Sequence, residues 1–72
     1  MNEVTVAWNT GHGSVHLELE HAATAPARSV SARISAYARK HYPGWIRVSS
    51  GGALHGDGTA STTVVYAKPL EG

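Results

Sequence analysis

Five histidines are the side chains of this chain best suited to hold a metal or move a proton. His12, His16 and His21 are the closest set, and the last two fall in one predicted strand. Because they differ by an odd number of positions, their side chains point to opposite faces of that strand. The sequence has no cysteine and no pair of histidines at zinc-binding helical spacing. The pattern favours separate histidines over a metal centre, and we expect no cofactor.

The chain contains residue types that could support nucleophilic or acid–base catalysis, but it contains no catalytic motif. The residue types of a catalytic triad occur close together at Ser49, Ser50, His55 and Asp57. Neighbours in sequence rarely reach triad geometry, however, and no nucleophile elbow is present. Glu18 and Glu20 share one strand face at a spacing of ~7 Å, which is also the ordinary pattern of a solvated strand. An enzyme or a metal-binding domain is therefore the least favoured reading.

The glycine-rich segment Gly51–Gly58 superficially resembles a phosphate-binding loop. A P-loop requires Lys and Ser or Thr after its last glycine, followed by a helix, whereas a strand is predicted here. The carboxylate of Asp57 would also oppose a phosphate. We interpret the segment as a hairpin loop.

Cations are concentrated in the middle of the chain, although the formal net charge is only +1. Residues 22–50 contain no acid and five cations: Arg28, Arg33, Arg39, Lys40 and Arg47. The acids lie on either side, with Glu18 and Glu20 in the first predicted hairpin. This distribution predicts a molecule with a basic helix and an acidic hairpin.

Length and composition limit the class of protein. Seventy-two residues allow one domain, residues 1–72, with a small core and no disulfide. Such a core supplies only ~3–5 kcal/mol of stability, so self-association as a homodimer or binding to a partner is a reasonable expectation. No signal peptide or membrane span is evident, and the absence of cysteine fits a reducing compartment. We expect a cytoplasmic protein with no membrane partner.

Hydrophobic periodicity predicts a hairpin, a helix and a second hairpin. Val4, Val6 and Trp8 alternate with polar residues, and Val15, Leu17 and Leu19 do so after a turn at residues 9–14. Thr59–Lys68 is a β-branched run, and Trp45–Ser50 alternates with Ile46 and Val48 on one face. The fold class is α+β: a ββαββ domain with one helix on one face of a four-stranded, mainly antiparallel sheet.

The helix is predicted from an apolar stripe that includes Val30, Ile34 and Tyr37. Thr24 is a plausible N-cap with Pro26 in the first turn, and Pro43-Gly44 ends the helix. The expected buried layer places this stripe against the apolar residues of both hairpins: Val4, Val6, Trp8, Val15, Leu17, Leu19, Ile46 and Val48. The opposite face of the sheet would be open and carry Thr5, Ala7, His16, Glu18, Glu20, Trp45 and Arg47.

Three surfaces are candidates for binding: the basic helix, the pair Trp45 and Arg47, and the acidic hairpin, where Glu18 and Glu20 could imitate phosphates against a basic DNA channel. The basic helix, with Arg28, Arg33, Arg39 and Lys40, suits either an acidic protein patch or the phosphates of a nucleic acid. Trp45 and Arg47 have the composition of a protein-binding hot spot. The alternative for these two residues is that Arg47 pairs with Glu18 or Glu20 while Trp45 packs beside the helix end.

In size and layout the chain resembles the small anti-CRISPR proteins of phages and other mobile elements. The similar segments are the opening hairpin Glu3–His21, the helix Pro26–Tyr42 with its Pro43-Gly44 stop, and the strand Trp45–Ser50. The resemblance is one of order and length, and it transfers no functional residue. It implies a non-enzymatic inhibitor that binds a CRISPR effector complex and obstructs recognition of target DNA.

Overall fold

The computed structural model describes residues 3–70 and confirms the predicted ββαββ fold. The elements are β1 (Thr5–Asn9), β2 (Ser14–Ala22), α1 (Ala27–His41), β3 (Ile46–Leu54) and β4 (Thr59–Ala67). The four strands form one antiparallel sheet in the order β1-β2-β4-β3. The two hairpins therefore meet in the middle of the sheet, where β2 pairs with β4, and β1 and β3 form its edges.

The two hairpins turn in the same way. In the first, the amide of Thr10 donates to the carbonyl of Ser14, and in the second His55 donates to Thr59 at 3.0 Å. Each three-residue loop begins and ends with a glycine at positive φ, as at Gly56 and Gly58. A side chain would be strained in that conformation, so the repeated Gly-x-Gly pattern is a steric requirement of the turns.

The hairpin loop predicted at Gly51–Gly58 is shorter in the structure. Only residues 55–58 form the loop, while Gly51–Leu54 continue β3. Pairing with β4 over the whole stretch keeps it extended, since tertiary hydrogen bonding overrides the low strand propensity of glycine.

The helix cap lies two residues after the predicted one. Pro26, in extended conformation, is the N-cap, and no side chain caps the helix; Thr24 lies in the preceding turn. Backbone hydrogen bonds close the first turn instead: the amides of Ser29 and Val30 donate to the Pro26 carbonyl. At the other end Tyr42 is the C-cap before Pro43-Gly44, as predicted. In residues 3–70, no helix has the length and apolar character needed to cross a membrane.

The core lies between the helix and the two central strands. Val15, Leu17 and Leu19 of β2 are fully buried against Val30 and Ile34 of the helix, as the sequence predicts. The remaining members of this cluster are Ala38, Val64 and Tyr66, with Val4, Tyr37, Tyr42 and Trp45 packed at its margin.

The prediction that apolar residues of the edge strands also join the core is confirmed for Val4 and wrong for Val6, Ile46 and Val48. Val6 is 39% exposed, and Ile46 and Val48 are more than half exposed. A helix with its side chains is about 10 Å wide, which matches two strands at a spacing of about 4.8 Å. The helix contacts only β2 and β4, so Val6, on the helix side of β1, lies beyond its cover. Ile46 pairs with Ala67, the neighbour of buried Tyr66, and therefore lies on the face of the sheet away from the helix.

Trp8 differs from the prediction for a second reason, a break in strand register. Val6 pairs with Leu17, whereas Trp8 pairs with His16, so one extra residue of β1 is accommodated at Ala7. Such a bulge reverses the alternation of side chains. Trp8 therefore lies on the open face of the sheet, 61% exposed, with its ring centroid 5.1 Å from that of His16.

We expect Leu17→Ala to lower the free energy of unfolding by about 3 kcal/mol, because it leaves a cavity in the closed core. Leu70→Ala is the matched control, since Leu70 is almost fully exposed. Urea denaturation of both variants checks the expectation. Similar losses for the two variants would contradict the assigned core.

Candidate binding surface between the helix and the edge strand

A groove of about 450 Å³ runs between the helix and β3 on the helix side of the sheet. It exists because the helix rests on β2 and β4 and leaves the helix side of β3 uncovered. We call it the β3 groove; its walls include Ala27, Val30, Ser31, Ser50, Gly52 and Leu54. Its lining is mainly apolar, with polar groups at its ends.

Short side chains on β3 keep the groove open. Ser50 and Gly52 pair with Val64 and Thr62 of β4 and face the helix side. At Gly52, a Cβ atom would approach the Ser61 carbonyl oxygen to 3.0 Å. The close backbone contact therefore favours glycine at this position, and no side chain fills the space above it.

Arg47 lies in the β3 groove and not on the open face. It pairs with Tyr66, which is buried under the helix, whereas Ser49 pairs with the next residue, Val65. The extra residue is accommodated at Val48, and the bulge sets the direction of the strand's side chains. The alternative in which Arg47 pairs with Glu18 or Glu20 is wrong as well, since β4 separates β3 from β2 and the acids face the other side.

Trp45 precedes β3 and lies at the end of the helix. It is half-buried, packs at the margin of the core, and its ring centroid is 4.9 Å from that of Tyr42. The amide of Trp45 donates to the Tyr42 carbonyl, which closes the turn after the helix. The prediction that Trp45 lies on the open face is wrong, and the alternative, packing beside the helix end, is the observed arrangement.

The four predicted cations of the helix are all exposed, but they form two groups. Around the helix axis, Arg28 and Arg39 are about 60–80° from Ser31, which lines the β3 groove. Arg33 and Lys40 are about 160–180° from it and line a shallow depression with Glu3 near β1. Arg28 and Arg39 are thus the helix cations nearer the β3 groove.

The open face of the sheet, away from the helix, carries acidic side chains. Glu18 and Glu20 alternate with buried Leu17 and Leu19, so their carboxylates point away from the helix. The predicted two-sided charge distribution is therefore present, with cations on the helix side. Trp8 is the surface aromatic that sequence reasoning missed, since nothing in the residue pattern marks the bulge at position 7.

His21 and Thr62 form a polar pair at one end of the β3 groove. The Nδ1 of His21 lies 2.8 Å from the Ala22 carbonyl oxygen, which can only accept, so Nδ1 carries the proton. In the neutral ring, Nε2 then accepts from the Thr62 hydroxyl, also at 2.8 Å. Both ring nitrogens are satisfied, and the pair links the central strands.

The second hairpin loop carries an electrostatic contact of its own. The Asp57 carboxylate accepts from the hydroxyl and, at 3.0 Å, from the amide of Thr59. The hydroxyl, followed by the amide, holds the pKa of this carboxyl below its ordinary value. The carboxylate acts as a local clamp of the turn, with both Thr59 donors on its Oδ1 atom.

The histidines are distributed over the fold. His12 and His55 lie in the two hairpin loops, His16 on the open face, His21 in the β3 groove and His41 against Tyr37. Within residues 3–70, no three His, Cys, Asp or Glu side chains come together as a metal site would require.

Comparison of the chain with protein families, with characterised proteins and with solved structures found no match. The candidate site is therefore defined by its geometry alone.

We expect Thr62→Val to lower the free energy of unfolding by about 1 kcal/mol, because it leaves Nε2 of His21 without its partner. Thr62→Ser keeps the hydroxyl and is expected to retain most of that stability. Chemical denaturation at neutral pH measures both. An equal loss in the two variants would assign the effect to packing of the methyl group.

The Asp57 clamp predicts a pH dependence. Because the folded-state pKa is depressed, the carboxylate stabilises the fold above about pH 4, and this contribution is lost as the pH falls through the folded-state pKa. The difference in unfolding midpoint between wild type and Asp57→Ala should therefore be largest near about pH 6 and shrink towards about pH 2.5. A difference independent of pH would show that the carboxylate charge is not responsible.

Proposed function

We propose that this protein is a non-enzymatic binding protein that attaches to an acidic patch of a protein partner through its helix side. The observation that carries the proposal is the combination of an apolar groove of about 450 Å³ with nearby guanidinium groups. Arg47 lines the groove, and Arg28 and Arg39 project from the adjoining side of the helix.

This combination suits protein recognition for two reasons. An apolar groove offers surface whose desolvation favours association, and arginines at its border make bidentate hydrogen bonds to carboxylates. Arginine is accordingly enriched among residues whose truncation is costly at interfaces. A partner segment with an apolar anchor and flanking acids would match both features.

The partner we propose is a CRISPR effector complex, whose recognition of target DNA the bound protein would obstruct in the cytoplasm. The support is the resemblance in size and order of elements to small anti-CRISPR proteins. Charge favours binding through cations over imitation of DNA. Duplex DNA presents one charge per ~1.7 Å, and five acids in the whole chain are too few to imitate several base pairs.

Direct binding of nucleic acid is the second candidate, and the basic helix favours it. Phosphate contacts would engage the cations of both groups on the helix, including Arg33 and Lys40, without needing the groove. Such binding would also weaken steeply with salt. The two candidates therefore differ in which cations matter and in their dependence on ionic strength.

We expect the wild-type protein to suppress target-DNA binding by at least one of a set of purified, guide-loaded effector complexes. Arg39→Ala with Arg47→Ala should weaken this inhibition at least tenfold, because it removes charge beside the groove. Glu18→Gln with Glu20→Gln is the control on the opposite face and should change it little. Electrophoretic mobility shift of labelled target DNA measures inhibition, and circular dichroism checks folding.

Two results would contradict the proposal. No effect on any effector, together with salt-dependent binding of the free protein to a DNA duplex, would favour the second candidate. Equal inhibition by wild type and the arginine double variant would move the contact away from the β3 groove.

A further inference from the structure

The outer edge of β3 is unprotected over residues 49–54, which follow the bulge at Val48. Every residue from Ile46 to Leu54 is exposed, and Leu54 is 80% exposed. Proteins usually blunt such an edge with charges, prolines or a covering element, but Val48–Leu54 has neither charge nor proline. The opposite edge, β1, is only five residues long and interrupted by a bulge.

The hydrogen bond that closes the second hairpin determines which residues of β3 direct their backbone N–H and C=O groups to β4 and which direct them outward. His55 donates to Thr59, so this pair is hydrogen-bonded, and bonded pairs recur at every second position of an antiparallel ladder. By this register, the backbone N–H and C=O groups of Ala53, Gly51 and Ser49 are hydrogen-bonded to β4. The backbone N–H and C=O groups of Leu54, Gly52 and Ser50 accordingly point outward, away from the sheet.

These outward groups are arranged symmetrically about Gly52. We propose that two copies of the chain pair their β3 strands antiparallel around a two-fold axis at Gly52, forming a continuous eight-stranded sheet. In this register Gly52 pairs with its own counterpart, and Leu54 of one copy pairs with Ser50 of its partner. The pairing forms about six backbone hydrogen bonds, two at each of the three bonded pairs.

A second copy fits this edge better than an unrelated strand for reasons of side-chain size and charge. Gly52 has no side chain at the axis, where two copies approach each other. The exposed Leu54 falls beside the small Ser50 of the partner, on the helix side, where both line the β3 groove. The edge also carries no charge after Arg47 with which to select a charged peptide.

The pairing places both helices on the same side of the joined sheet. Because each helix rests on β2 and β4, their axes would be four strand spacings apart, about 19 Å. The gap between their surfaces then approaches the screening length of about 8 Å at physiological salt, which limits repulsion between the two basic helices. The two β3 grooves would merge into one trough bordered by arginines from both copies. This inference does not depend on the identity of the proposed partner.

The first test is the solution mass as a function of concentration. We expect sedimentation equilibrium to show a rise from 7.6 kDa towards twice that value between about 1 µM and about 1 mM, the range of small interfaces. Ser50→Pro should remain monomeric, because it removes an outward donor and leaves the bonds to β4 in place. Ser50→Ala is the matched control and should dimerise like the wild type.

Leu54→Lys is a second variant that leaves the backbone unchanged. Its added charge at the edge should weaken dimerisation at least tenfold, whereas Ala32→Lys, with the same charge on the exposed side of the helix, should not. Wild type that stays monomeric throughout, or a dimer that Ser50→Pro and Leu54→Lys leave intact, would overturn the proposal. Circular dichroism of each variant establishes that the monomers are folded.

The register is tested by disulfide formation, which the cysteine-free chain makes simple. Around Gly52, Gly51 of one copy lies opposite Ala53 of the other with Cα atoms about 4.5 Å apart, within the range of a disulfide. A Cβ at Gly51 meets no atom within 4 Å. Mixing equal amounts of Gly51→Cys and Ala53→Cys chains under oxidation should yield more mixed disulfide than the two homodimers together, which is the amount that random pairing gives. A mixed yield no greater than that of the two homodimers combined would overturn pairing around Gly52.

Discussion

The width of one helix relative to a four-stranded sheet decides what this molecule exposes. The helix buries the inner faces of β2 and β4, and with them Leu17, Leu19 and Ile34. The helix does not cover the edge strands β1 and β3. The β3 groove and the exposure of Val6 and Leu54 on the helix side of the two edges follow from this one mismatch.

Two bulges then decide which side chains each edge presents. The irregularity at position 7 turns Trp8 to the open face beside His16, and the one at position 48 leaves Arg47 opposite Tyr66 on the helix side. Without the second bulge, the charge nearest the groove would lie on the opposite face. Edge strands tolerate such insertions because only one side of their backbone is hydrogen-bonded.

Three cations and the β3 groove lie on one side of the molecule. Arg28 and Arg39 project from the helix, Arg47 lies in the groove, and Glu18 and Glu20 face away. A two-fold pairing of β3 would double this side of the molecule without occupying the groove. Small proteins often gain stability from oligomerisation, since a short chain has only a small core of its own.

The sequence by itself determined the order and type of the elements, the helix-facing residues of β2 and the division of charge, because period and composition are local properties. It missed the second half of β3, Gly51–Leu54, which is held extended by pairing with β4. It did not determine the strand order, so it could not show that β1 and β3 are edges beyond the helix. The places of Trp8 and Arg47 depended on bulges, and that of Trp45 on packing against Tyr42. Tertiary structure alone decided these features, since each depends on which strand lies beside which and on how far one helix reaches.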